Sequence, residues 1–184
     1  MPLSRLVKVG ESYYHLDIGD DGEIVEFRRA QPAFGTLDFG DENVDVKLWS
    51  DAGHQHLFSS NGKLRLPAGK YATVVLKLTE TDSAGNRWLF DTEKARGGAG
   101  AGELGAFEVR PDETTSFEIG PPFQVKSSME KHGRDAWVKF YLEGRSGELY
   151  VPGAKKNGKE VPEPQFQIIS ETGQTVHSAQ FGFA

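Results

Sequence analysis

One hundred and eighty-four residues suit one ordinary domain or two small ones, and 37% hydrophobic with 26% charged residues describes a globular rather than a disordered chain. A net charge of −6 argues against a nucleic-acid surface covering the molecule. The lack of cysteine excludes disulfides, thiolate nucleophiles and Cys-ligated zinc, and no run approaches the roughly 18 apolar residues of a helical membrane span.

The N-terminal MPLSRLVKVGESYY lacks the apolar core of a signal peptide, so the expectation is a cytosolic protein or one whose signal has been removed. Short strands are expected at SYYHLD and EIVEFR, joined through Asp21-Gly22, a pair suited to tight turns. Residues 17–23 resemble the start of a calcium loop. However, position 3 is Gly19, which has no ligand, and position 12 is Arg28 where a bidentate Glu belongs. A second acidic loop, residues 38–45, could join it only if both converged at one end of the fold. The expected reading of each is an acidic turn.

In NVDVKLW, alternation places Val44, Val46 and Leu48 on one face and Asp45, Lys47 and Trp49 on the other. His54 and His56 follow at i, i+2, which on a strand aims both rings the same way, with Asp51 near enough to complete a metal site. No definite third ligand is visible, so a polar hairpin and no cofactor are expected. In YATVVLKL, Ala72, Val74, Leu76 and Leu78 are expected to share the core face.

Gly100 to Gly105 satisfies G-x-G-x-x-G, but a dinucleotide site needs a strand before it and a helix after it. A basic, glycine-rich loop precedes it and the strand-like AFEVR follows, so a mobile hairpin tip is expected. Nucleophile-elbow, Walker A and HExxH motifs are absent. Further strands are expected at RWLF, FEVR, SFEI, FQVK, AWVKFYL, GELYV, FQIIS and TVHSAQF, and no 11-residue window shows helical periodicity.

Charge divides at Gly120-Pro121-Pro122. Residues 1–120 carry 13 Lys and Arg against 20 Asp and Glu, and residues 121–184 carry 8 against 7. Two adjacent prolines cannot donate ladder hydrogen bonds, so a domain boundary or stiff crossover is expected there. In AWVKFYL, Val138, Phe140 and Leu142 should enter the core while Trp137, Lys139 and Tyr141 share the opposite face. With Trp49, these are the candidate ligand-binding residues, since aromatic platforms on sheets stack sugar rings. The expected reading is that the other half of the chain covers them.

Asn61-Gly62, Leu66-Pro67-Ala68-Gly69 and Tyr71 match an "nG…lpaG.Y" signature, and the stretch from Val44 to Leu78 resembles the prealbumin-like, carboxypeptidase-regulatory type of immunoglobulin-like β-sandwich. The resemblance implies an extracytoplasmic accessory domain without catalytic residues. It also implies a strained Gly69 and a Tyr71 that opens the long strand. GRDAWVKFYLEGRSGELYVPG and PQFQIISETGQTVHSAQFGF resemble small sandwich domains that follow such modules in bacterial surface and periplasmic proteins.

The expectation is therefore all-β: a prealbumin/Ig-like sandwich over 1–120 and a smaller sandwich over 121–184. The expected function is a non-catalytic accessory, adhesion or scaffolding module in the periplasm, at the cell surface or secreted, with polysaccharide or protein as partner. A carbohydrate-binding module is the first alternative. A metal-dependent enzyme using His54, His56 and Asp51 is the second.

Overall fold

The computed structural model describes residues 5–19, 21–50, 53–92, 96–133, 135–150, 154–162 and 164–180. Among them are eighteen strands and one 3-10 segment, so the all-β expectation holds. Strands β1 (Leu6–Val9), β2 (Ser12–Ile18) and β3 (Val25–Ala30) form a separate antiparallel sheet. Tyr13 of this sheet meets Phe34 edge-on at 5.4 Å between centroids.

Two sheets face each other in the main body. One contains β4 (Phe34–Asp38), β7 (Lys63–Pro67) and β11 (Thr114–Ser116) in the order β11-β4-β7. The other contains β5 (Asn43–Ser50), β6 (Gly53–Ser59), β8 (Gly69–Thr81) and β9 (Arg87–Asp91), extended by β15 (Lys155–Lys156) and β16 (Lys159–Glu160). β10 (Phe107–Val109) pairs with the start of β8. Leu37, Leu64 and Leu66 from the first sheet pack on Val44, Val46, Leu48, Leu76 and Leu78 from the second. Burying each such side chain contributes about 1.5–3 kcal/mol, which makes this interface the main source of stability.

The alternation expected in β5 is observed, with Val44, Val46 and Leu48 in the core. In β8 the expected phase fails. Lys47 pairs with Val75 but Leu48 pairs with Thr73, leaving Val74 as the extra residue of a β-bulge and 52% exposed. Tyr71 and Thr73 therefore face the core before the bulge, and Leu76 and Leu78 after it.

The glycine-rich tract is also placed differently from the expectation. Arg96–Gly105 is a 3-10 segment that buries Ala101 and Leu104 in the core. Gly102 has φ +56°, and a β-carbon there would collide with the Ser146 carbonyl, while the next residue, Glu103, donates its N–H to that same carbonyl at 2.9 Å. The glycines thus serve close backbone packing. A strand, β10, follows the tract, so the structural context of a dinucleotide site is missing.

Beyond Gly120 lie β12 (Gln124–His132), β13 (Asp135–Glu143) and β14 (Leu149–Tyr150), which form one antiparallel sheet. The hairpin of β17 (Gln165–Ile169) and β18 (Thr175–Gln180) stands as a fifth sheet. The chain also returns across the 120/121 position. Tyr150 is fully buried against Phe90 and Phe123, and β15 pairs with β9 through Lys155–Leu89 and Lys156–Trp88.

Within the Asn61 to Tyr71 signature, the strained glycine is Gly62 rather than Gly69. Gly62 has φ +67°, and a β-carbon there would collide with the Gly40 carbonyl, because the Asn61-Gly62 turn packs on the loop before β5. A β-carbon on Gly69 would meet only Tyr71 Cε2 at 3.8 Å, an ordinary contact. Tyr71 enters β8 as expected, and its hydroxyl donates to the Pro67 carbonyl at 2.6 Å. Gly62→Val is therefore expected to cost about 1–3 kcal/mol through backbone strain, and Gly69→Ala much less. Urea melts of the two variants check this, and equal losses would contradict the assignment.

Candidate functional site

The β12–β13 ladder pairs Val125 with Leu142, Ser127 with Phe140 and Met129 with Val138, so these six side chains share one face. Alternation was expected to carry Val138, Phe140 and Leu142 into a closed core. Instead they are half-buried, and Val125 and Met129 are 71% and 69% exposed. The face opens onto a groove of about 980 Å³. Trp88 and Phe90 of β9 form one wall, and Ala154, Val161, Pro162 and Pro164 form another. Phe166 and Ile168 from β17 line the remaining side. The polar residues of the lining are Ser127, Ser128, Gln165 and Gln167. Its size lies at the upper end of the roughly 300–1,000 Å³ usual for small-molecule sites, and its lining is mainly apolar with few polar groups, as such sites are. Composition hid the groove because its walls come from segments that each read as an ordinary strand or turn.

The opposite face of the same hairpin carries the residues singled out by alternation. Trp137, Lys139 and Tyr141 lie opposite Glu130, Ser128 and Lys126. The expected cover is absent from Trp137, which is 56% exposed with its ring 5.1 Å from that of His132. Lys139 donates to Glu130 at 3.2 Å, which, with His132, holds the Glu130 carboxyl below its ordinary value. Tyr141 is half-buried. Trp49 belongs to a different sheet, opposite His54, so it does not join this platform.

His54 and His56 do point the same way from β6, on the outer face that also carries Phe58. His56 Nε2 lies 2.6 Å from Asp45 Oδ1, and its ring packs 4.5 Å from Phe58. Asp51 lies outside the described residues. Among the described residues, no three His, Asp or Glu side chains gather in a way that could hold a metal ion. The acidic loops are occupied separately: Arg28 pairs with Asp17, Asp21 accepts the Glu23 N–H, and Asp38 accepts the Gly40 N–H.

Sequence reasoning missed a buried carboxyl cluster, because acidic residues are too common in this chain for any set to stand out. Glu148 is fully buried and accepts from the Gly120 N–H at 2.6 Å, the Ser146 N–H at 3.0 Å and the Tyr150 hydroxyl at 3.1 Å. Burial pushes its carboxyl up, against the pull of those donors. Glu42 and Glu80 lie beside Gly120. Burial and the Glu80 carboxyl raise Glu42 to about 8, so near neutrality it keeps its proton. With both groups ionised, Glu80 Oε1 has no partner, and the Glu42 proton supplies a hydrogen bond to that carboxyl. Arg145 closes the cluster, donating to the Ile119 carbonyl at 2.7 Å and reaching Glu42 at 3.4 Å. Its donors tie loops together, so the cluster reads as a structural seam.

No protein-family model matches the chain, and neither a curated protein nor a solved structure matches it.

The Glu42 proton has a measurable consequence. The folded chain binds it more tightly than the unfolded chain, where the value is near 4.5. Its stabilising effect is complete below about 4.5 and is lost as pH rises through about 8. Glu148 shifts in the same direction. Thermal melts across that window should show stability falling with pH. Glu42→Gln should flatten part of the slope, because an amide still donates to Glu80 but does not titrate. An unchanged slope in the variant would place the proton elsewhere.

Proposed function

We propose that this protein is a non-catalytic binding module of accessory or adhesion type, and that the apolar groove between β12–β13, β9 and β17 is its binding element. The observation that carries this reading is the groove itself: a coherent apolar face left half-open, with Val125 and Met129 mostly exposed. Contiguous apolar surface of this kind is costly to leave in water and marks interaction sites. An extracytoplasmic setting is supported only by the prealbumin-like resemblance around Asn61 to Tyr71.

A neutral hydrophobic fluorophore, N-phenyl-1-naphthylamine, should bind with enhanced and blue-shifted emission. Met129→Trp should remove most of that enhancement by filling the groove, with little change in melting because Met129 is largely exposed. Enhancement that survives Met129→Trp undiminished would locate binding elsewhere and remove the support for the groove.

Trp137 favours a second reading, a carbohydrate-binding module. Its exposed indole shares a face with Lys139 and Tyr141, an apolar platform beside polar donors. With the ring uncovered, Trp137→Ala is expected to cost less than about 1 kcal/mol, well below the 3–5 kcal/mol of a buried Trp. Retention on insoluble polysaccharide columns tests the reading. Wild-type retention that is lost in the variant would move the binding element to this face.

A further inference from the structure

A basic hairpin turn adjoins the groove, next along the chain to its lining residues Ala154 and Val161. β15 and β16 form a hairpin around Asn157-Gly158, both with positive φ (52° and 80°), the geometry of a two-residue type I′ turn. The flanking residues, Lys156 and Lys159, lie directly opposite each other and share a face. The next pair on that face is Ala154 and Val161, which line the groove, and Val161 donates its N–H to the Ala154 carbonyl at 3.0 Å. On the other side Lys156 pairs with Trp88, its Nζ 5.1 Å from the indole centroid.

Like charges placed directly across a ladder are destabilising. Neither ammonium has a carboxylate partner among the described residues, although Lys155 on the opposite face lies across from Glu160. The nearby Asp82 carboxylate is occupied by the Trp88 indole N–H at 3.0 Å and by Asn86. The pair is also held in place. Asn157 accepts the Arg87 N–H at 2.8 Å, donates its own N–H to the Arg87 carbonyl at 2.7 Å and donates its side-chain amide to Asn86 at 3.0 Å. A pinned turn therefore presents two cations, without a carboxylate partner among the described residues, beside an apolar groove.

We infer that the groove takes a single-chain anionic amphiphile of the fatty-acid class, its hydrocarbon chain along Met129, Phe140 and Phe166 and its carboxylate between Lys156 and Lys159. The inference rests on the groove being the binding element, and it adds the headgroup. The carboxylate relieves the repulsion between the two ammoniums and gains two charge-assisted hydrogen bonds. The chain covers the apolar surface that the β12–β13 sheet leaves exposed.

The test displaces N-phenyl-1-naphthylamine from the full chain with dodecanoate, dodecanol and dodecylamine, each below the concentration at which it self-associates. Dodecanoate should displace the dye at about tenfold lower concentration than dodecanol, with the amine weakest. In Lys156→Ala/Lys159→Ala the acid and the alcohol should displace the dye at equal concentrations. The single Lys159→Ala, at an exposed position, should give an intermediate preference and serves if the double variant folds poorly. Equal displacement by all three amphiphiles, or an acid preference that persists without the lysines, would overturn the headgroup assignment and leave the groove reading intact. Failure of dye and dodecanol alike to respond to Met129→Trp would overturn both.

Discussion

The buried Glu148 carboxylate is the joint on which the second half of the molecule depends. A carboxyl group without solvent is costly unless its oxygens find hydrogen-bond partners, and here the Gly120 N–H and the Tyr150 hydroxyl reach one oxygen and the Ser146 N–H the other. These three donors lie on opposite sides of the β12–β13 excursion. Glu148 therefore clamps the point where the chain leaves the sandwich to the point where it returns. Tyr150 follows into the aromatic cluster with Phe90 and Phe123. Gly144 packs so closely on the carboxylate that a β-carbon there would collide with it. The 144–150 turn is in turn held by the 3-10 segment, through the backbone contact of Gly102 and Glu103 with Ser146.

That joint has a consequence for binding. Once Gly120 and Glu148 are held together, β12 and β13 extend from the body as a hairpin whose two faces differ in chemistry. One face is apolar and turns toward Trp88, Phe90 and Phe166, producing the groove. The other carries Trp137, Tyr141 and the Lys139–Glu130 pair toward solvent. The two functional readings thus occupy opposite sides of one ladder, and substitutions on one face leave the other in place.

Main-sheet edge chemistry supplies the rest of the site. β9 would be the last long strand of its sheet, and the short β15–β16 hairpin covers its edge, pinned by Asn157 to Arg87 and Asn86. Covering an edge in this way blocks strand addition. Here it also brings Lys156 over Trp88, one of the residues that line the groove.

The sequence alone determined the all-β class, the core face of β5, the long strand beginning near Tyr71 and the division of β13 into an apolar and an aromatic face. These are period-2 patterns and turn signals, carried by neighbours in the chain. Only the tertiary structure decided the rest. The bulge at Val74 depends on pairing with β5, and a one-residue slip there reverses every later side chain in β8. The strain at Gly62 comes from Gly40, and the glycine tract packs on Ser146, both contacts between segments distant in the chain. The groove face of β13 reads as core because alternation reports which residues avoid water locally. Whether another layer seals that face depends on how much apolar surface the β17 hairpin and the β9 edge bring to it, and no local pattern encodes that.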